Sequence, residues 1–480
     1  MKIGASDLAL LTGYVAAIVL FGLWVGRRQR GISDYAVGGR DLPWWLVLAS
    51  IVATETSTVT FLSIPGFGYQ RDLTWLQLPL GYVVGRMLVV SILLPRYFRG
   101  DMFTAYEVLE RRFGGATKRV ASALFIITRN LADGLRLFLT ALVLQKVAGI
   151  GLAPAVACIG VATIVYTFFG GMRAVVWTDF IQFVVYTAGA LAALALLIDK
   201  TPGGWSALSE AAASAGKWRL FDFDLDLTNP HVFWAGLIGG AFLTFGTHGA
   251  DQMMVQRYLC ARDQRAASWA LGLSGVVVLL QFGLFLVIGV ALWVHYQGGA
   301  VFERADEIFA TFIVEETPPV LRGLLLGAVF SAAMSTLSSS LNSSATTAVL
   351  DLYVPTAEPE ADSARRLTLV RRMTIVFGVI QIAIGIAGQW TVDAVVNNVL
   401  AIAGFTTGII LGVFFLGVFT RRVGQRAALT ALVTGLAGMS AIKFTTDLAW
   451  PWFALVGSLG TFCVGSLACR VIREDEGVGR

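Results

Sequence analysis

Charge is scarce in this chain. Of its 480 residues only 14% are Asp, Glu, Lys or Arg, where a soluble protein carries about 25%, and an ordinary water-soluble globule is excluded. Histidine is scarcer still, with three in all, and no His/Asp or Cys constellation accompanies them. A zinc enzyme, or a membrane-embedded lipid or sugar transferase, therefore lacks its catalytic cluster, and the chain reads as no enzyme. The four cysteines, Cys158, Cys260, Cys463 and Cys469, form no CxxC pair. Three fall in apolar stretches and Cys260 lies beside a basic loop, so neither a disulfide nor a cysteine metal site is expected. No segment reads as a soluble domain, which counts against a sensor with a signalling module. The net charge of +5 is spread over short loops rather than gathered in a patch, so no nucleic acid partner is implied.

What the chain has is hydrophobicity, 56% of residues, in runs that recur at the roughly 20-residue length a bilayer requires. The reading is an all-α polytopic membrane protein of about thirteen spans: 5–26, 43–69, 74–97, 118–147, 152–170, 175–199, 231–256, 266–296, 319–352, 368–388, 393–418, 424–445 and 450–471. The first is longer than a signal-peptide core and has no A-x-A cleavage site, so it counts as a helix. Alternate loops hold the basic residues: Arg27/Arg28/Arg30, Arg96/Arg99/Arg111/Arg112/Lys118/Arg119, Arg257/Arg262/Arg265, Arg365/Arg366/Arg371/Arg372, Arg421/Arg422/Arg426 and Arg470/Arg473. The positive-inside rule then places the C-terminus in the cytoplasm of a cell-membrane protein and the N-terminus outside. The segment with Glu303, Asp306, Glu307, Glu315 and Glu316 falls on the external side; it reads as a short amphipathic helix over the outer mouth. Residues 100–117 read as an interfacial helix or an ordinary loop.

The most informative stretch is Ser331 to Leu352, SAAMSTLSSSLNSSATTAVLDL. Ala332, Ser335, Thr336, Ser339 and Ser343 recur at i, i+3, i+4, i+7 and i+11, one face of a helix. Neutral oxygens on one face inside a bilayer suit close helix packing or a hard cation such as Na⁺, and the stripe alone leaves both open. Two other spans are irregular. The second carries Thr54-Glu55-Thr56-Ser57-Thr58, too polar for a lipid-facing helix. The seventh carries Gly236, Gly239, Gly240, Gly246 and Gly249 with Thr244, Thr247 and His248. Both could break where protein rather than lipid surrounds them. They are five spans apart, the spacing of a five-helix inverted repeat with its site at the repeat interface.

In order along the chain stand DYAVGGRDLPWW (34–45), ATETSTVTFLSIPGFGY (53–69), TAYEVLERRF (104–113), GGMRAVVWTDFIQ (170–182), DQMMVQRYL (251–259) and the hydroxyl helix through LNSS (341–344) to DLY (351–353). Together these resemble the sodium–solute symporter family, which includes sodium/glucose, sodium/proline and sodium/sialic-acid symporters. The resemblance implies a leucine-transporter-type core of two inverted five-helix repeats. The chain would divide into an N-terminal helix and loop (1–42), a first repeat (43–199), an external loop (200–230), a second repeat (231–418) and two C-terminal helices with a tail (419–480). It also implies uptake of a small polar organic solute (sugar, sugar acid or other carboxylate, or amino acid) coupled to Na⁺, by alternating access. No cofactor besides that ion is implied. The other partners are the solute and the lipid bilayer; no oligomeric state is assigned.

Carried over from the family, a first sodium ion would take the carbonyls of Ala53, Thr56 and Ala332 and the hydroxyls of Ser335 and Thr336. Some members hold a second, which here would use Asp179 with Ser335, Ser338 and Ser339. The substrate-contact positions correspond to Glu55, Ser57, Thr60, Trp75, Gln77, Arg136, Phe242, Thr244, Phe245 and Phe405. Asn342, Ser343 and Ser344 read as packing. Intramembrane charges are functional candidates by default; Arg129, Asp133 and Arg136 share a helix face, where Asp133 could neutralise either arginine. Two departures matter. The carboxylate-binding arginine of sialic-acid symporters aligns near Ala132, with Arg129 and Arg136 each about one turn away. A sugar-binding glutamine of glucose-type members aligns near Thr60. Neither specificity transfers: Arg136 keeps a carboxylate in play and Glu55 a neutral sugar, amino acid or amine. A sodium-linked channel is the other class left, and would show flux uncoupled from solute.

Overall fold

The computed structural model describes residues 4–27, 31–100, 102–297, 299, 302, 304–353, 363–390 and 393–472. Arg28, Arg30, Glu303 and Arg473 of the loop tally lie outside the described residues. Among the described residues eight helices are long and apolar enough to cross a membrane, and a ninth span is a bent pair. Among these residues one bridge of strand type joins Leu42 to Ala261.

Helix α1 (Ala5–Gly26) packs along α6 (Leu152–Lys200). Glycine makes the approach possible: a Cβ on Gly26 would lie 2.5 Å from the Phe169 carbonyl oxygen. Two spans, 152–170 and 175–199, are expected where α6 runs without a loop. The chain reverses at Gly171, whose φ of 49° and ψ of −161° suit only glycine. Tyr166 and Phe169 meet Gly22 and Gly26 of α1, while Lys200 bonds Glu316 at 3.0 Å near the opposite end of α1. The two arms thus run in opposite directions, and a span boundary needs one residue rather than a loop.

The second expected span is the bent pair: α2 (Trp44–Glu55) and α3 (Thr58–Gln70), with a 67° bend between them. Thr56 leaves helical geometry at φ −84°, ψ 88°. Ser57 caps α3, its hydroxyl accepting from the Thr60 N–H at 3.3 Å. Helix ends leave unmatched carbonyls on one side and unmatched N–H groups on the other, so the break sets both kinds of dipole facing the protein interior. Then follow α4 (Thr74–Tyr97, with a π turn at Val89–Leu93) and α5 (Gly115–Ala148). The glycine-rich seventh span also breaks. Helix α7 (Gly240–Gly249) ends at Ala250, and α8 (Gln252–Tyr258) restarts with Asp251 capping the Met253 N–H at 2.8 Å.

Helix α9 (Gln264–His295) precedes α10 (Ala305–Glu315), the expected amphipathic helix, which buries Ile308, Phe309, Phe312 and Ile313 against α3. Within 100–117 a short helix forms at Glu107–Phe113. Helix α11 (Leu321–Thr347) is the centre of the fold: every residue from Leu325 to Thr347 is buried, chiefly against α6 and α1. Four more helices complete the chain: α12 (Ser363–Ala387), α13 (Asp393–Phe419), α14 (Gln425–Thr445) and α15 (Trp452–Val471).

Candidate functional site

A cavity of about 300 Å³ opens at the α2–α3 break. Thr54, Glu55, Ser57 and Thr60 come from the break, Arg129, Ala132 and Arg136 from α5, and Thr244, Thr247 and His248 from α7; Thr336 of α11 also reaches it. Its charges are mostly neutralised in pairs. Glu55 is ion-paired with Arg86, which is fully buried, and His248 Nε2 lies 3.2 Å from the same guanidinium. Arg129 pairs with Asp251. Asp133 sits between two arginines, 2.6 Å from Arg136 and 3.8 Å from Arg129. Arg136 differs from the others: its side chain keeps 35% of its surface open, against 14% for Arg129 and none for Arg86. It is the guanidinium with room to meet a guest. An opposite charge on the guest suits it, because a guanidinium offers a planar fork to a carboxylate.

Behind the cavity, α11 faces the C-terminal end of α2. The Thr336 hydroxyl stands 3.3 Å from the Thr54 carbonyl oxygen and 3.2 Å from that of Ala332. Ala53, Thr56, Ala332 and Ser335 are all fully buried alongside. The Thr56 hydroxyl is turned towards Gln281, donating to its Oε1 at 3.0 Å. The Ser335 hydroxyl is turned the other way and donates to Asp179 Oδ1 at 2.6 Å.

Asp179 is at the heart of a second cluster and is fully buried, not at an interface. Its Oδ2 accepts from Ser50 at 2.5 Å and from Arg257 Nη2 at 3.3 Å. Arg257 further bonds Thr54 and Ser339, reaches Ser50 through Nε at 3.0 Å and donates to the Met253 carbonyl at 2.5 Å. Ser339 and Ser338 both donate to the Ser335 carbonyl, at 2.7 and 3.1 Å. Of the Asp179, Ser335, Ser338 and Ser339 set expected for a second sodium, Asp179, Ser335 and Ser339 are thus brought together around a guanidinium, while the Ser338 hydroxyl is spent on the Ser335 carbonyl.

Several expectations need correction. Arg257 belongs to no loop: the restart at Asp251 sends α8 inward, and Arg257 is only 1% exposed. Lys118, also assigned to a loop, is buried with Glu110 at 2.9 Å and Asp351 at 3.4 Å. Trp75 and Gln77 lie away from the cavity. The Gln77 amide donates to the Thr74 and His231 carbonyls at 2.9 and 2.7 Å and accepts from the Asp222 N–H at 3.0 Å. That arrangement spends its polar atoms on its own helix and on the backbone at Asp222 and His231. Trp75 packs edge-on against Phe67 and beside His231. Phe245 and Phe405 are core residues, against Phe415 and Phe453 respectively, and Phe242 packs on the same core. Glu55, Ser57, Thr60, Thr244 and Arg136 do line the cavity. Ser50, Arg257 and Asp251 went unrecognised as site residues. An intramembrane-charge reading of 251–259 would have found the two charged ones.

Residues 35–435 match the sodium:solute symporter family. The chain is 29% identical over 485 residues to the sodium/sialic acid symporter SiaT of Proteus mirabilis, covering 97% of this chain and 95% of that protein. It is also 29% identical over 419 residues to sodium-coupled monocarboxylate transporter 2 of Bos taurus, covering 85% of this chain and 67% of that one. Among solved structures it resembles a substrate-bound, outward-open Na⁺-coupled sialic acid symporter, described as having a novel Na⁺ site. The TM-score is 0.89 at 27% identity, over 99% of this chain and 100% of that one. With a family match over most of its length, a helical membrane fold and no enzyme among these relatives, the chain belongs to the sodium:solute symporter family and is a Na⁺-coupled symporter.

Proposed function

We propose that this protein imports a small carboxylate-bearing solute together with Na⁺, and that Arg136 receives the carboxylate. The observation that carries this reading is the inequality among the buried charges. Glu55, the candidate for an amine, is already neutralised by Arg86, whereas Arg136, among the described residues, is paired with Asp133 alone and remains part-open to the cavity. The capped start of α3 lies in the same wall, and a helix N-terminus favours an anion. Ala132, near which the carboxylate-binding arginine of sialic-acid symporters would align, lines this cavity too. Arg136, one turn on, then offers the same group from a different rung. The two named relatives move a sialic acid and a monocarboxylate, solutes that share a carboxylate.

The first sodium takes the carbonyls of Ala53, Thr56 and Ala332 with the hydroxyls of Ser335 and Thr336. Such a set is neutral, so the ion is held by oxygens alone and can leave. By tying the end of α2 to α11 it fixes the break that presents Ser57 and Thr60 to the solute. Sodium raises solute affinity, and solute raises sodium affinity by the same factor. The second sodium competes with Arg257 for Asp179, Ser335, Ser338 and Ser339: when the guanidinium swings away, a carboxylate and three hydroxyls are left for a cation of similar charge. Each sodium entering a negative interior gains about 2.3 kcal/mol per 100 mV.

In this reading the chain has thirteen spans. The N-terminal helix lies outside the repeats, spans two to six and seven to eleven form the inverted pair, and two helices follow. The breaks at Thr56 and Ala250, five spans apart, support that division. The loop charges put the N-terminus outside and the C-terminus in the cytoplasm. Thermal unfolding of the purified protein, with Na⁺ or K⁺, over a panel of monocarboxylates, sugar acids, neutral sugars and amines tests the substrate class. Carboxylates are expected to stabilise, and only with Na⁺ present. Stabilisation by amines or neutral sugars alone would overturn it.

A further inference from the structure

A second concavity, about 620 Å³ in volume, lies on the outer surface between α4 and the first turns of α9. It is separate from the cavity at the break: no residue lines both. Its head and its body differ in chemistry. Gln264, Arg265 and Ser268 form the head, at the N-terminus of a 32-residue helix. The body is Met87, Gly272, Leu273 and Val276, with Trp269 at the junction, 54% exposed.

Glycine shapes the trough. A methyl group on Gly272 would come 3.2 Å from Met87 Cε, and one on Gly275 would come 3.2 Å from Val83 Cα and 3.3 Å from Arg86 Cδ. A slot of this kind on the face of a membrane helix fits a hydrocarbon chain.

The local charge balance favours an anion. Asp263 is already engaged: one oxygen accepts the Ala266 N–H at 2.7 Å, capping α9, and the other lies 3.3 Å from Arg262 Nε. Among the described residues Arg265 has no ion-pair or hydrogen-bond partner, and it is exposed. The Ser268 hydroxyl donates to the Gln264 carbonyl at 2.8 Å and would have to turn from it to donate to an anion. A guanidinium without a partner among the described residues, a helix N-terminus and an exposed indole, above an apolar trough, suit an anionic diacyl lipid.

We propose that this groove is a binding site for an anionic glycerophospholipid. The phosphate lies against Arg265 and the start of α9, and one acyl chain runs down the trough over Gly272. Met87 in the groove wall follows Arg86 in α4, and Gly275 of α9 closes on Val83 and Arg86, so the bound lipid braces α4 against α9 beside the Glu55–Arg86 pair. This inference does not depend on which solute is carried.

Native mass spectrometry of the full chain, released from mild detergent after incubation with equal phosphatidylglycerol and phosphatidylcholine, tests it. Phosphatidylglycerol adducts are expected to dominate. Arg265→Ala should cut their retention about five-fold, the equivalent of one basic residue near an anionic surface, while Arg265→Lys keeps most of it. Gly272→Leu, whose Cβ would meet the flexible end of Met87, should reduce adducts of both lipids by filling the trough. Equal retention of the two lipids by the unmodified protein would overturn the proposal. So would retention unchanged in Arg265→Ala, or displacement of the lipid by millimolar inorganic phosphate, which would make the head a soluble-anion site.

Discussion

The two halves of the buried Ser331–Thr347 stretch of α11, 331–339 and 340–347, are equally rich in hydroxyls, yet they touch different chemistry. In the first half Ser335 meets a carboxylate, Ser339 meets a guanidinium and Thr336 meets the open end of α2. In the second half the partners are carboxamides. Asn342 accepts from Gln256 at 2.8 Å, Ser344 accepts from Asn130 at 3.1 Å, and Ser340 accepts from Gln381 at 2.9 Å. A carboxamide satisfies a hydroxyl and leaves no charge for an ion to balance, so the second half is expected to act as helix-to-helix adhesive. The first half faces groups that a cation can reorganise. Composition alone does not separate the two; the neighbouring elements do.

Replacements graded by expected effect probe that contrast. The largest should come from Asp179→Ala, which strands the fully buried Arg257. Losing one partner of a buried pair costs about 3–5 kcal/mol, read as a lowered unfolding temperature in detergent. Removing both, in Asp179→Ala with Arg257→Ala, should recover much of the stability without restoring sodium dependence. Next is Arg136→Gln. Its loss should weaken solute-induced stabilisation by the equivalent of about 2 kcal/mol, the range for a hydrogen bond to a charged group. Sodium-induced stabilisation should persist, and a parallel loss of both would erase the distinction between cavity and ion site. Ser335→Ala should raise the half-saturating Na⁺ for uptake about ten-fold, or about 1.4 kcal/mol. The smallest effect is expected from Ser344→Ala: about 0.6 kcal/mol of stability, typical of one hydrogen bond between membrane helices, with the sodium requirement unmoved. A shifted sodium requirement there would break the comparison.

Much of this was legible in the sequence because it is local. The polar run Thr54–Thr58 marks the break, and the glycines of 236–249 mark the second. The hydroxyl period marks the face of α11 that turns inward. Other features depend on distant partners. Arg257 sits among basic residues in the sequence, and only the inward turn at Asp251 carries it to Asp179, 78 positions away. Gln77 is taken out of the cavity by the backbone of Asp222 and His231, 145 and 154 positions on. Nothing near Gln77 announces that. The reversal at Gly171 left a quieter trace, Gly170-Gly171, because one positive-φ residue did the work of a loop.

Equilibrium binding of radioactive Na⁺ to purified protein tests the central claim, that one half of α11 holds the ion and the other holds helices. Two double variants decide it: Ser335→Ala with Thr336→Ala, and Asn342→Ala with Ser344→Ala. The account predicts that the first pair loses most Na⁺ binding while remaining folded, and that the second binds Na⁺ as the unmodified protein does. Equal binding by the two, or loss confined to the second, would contradict it.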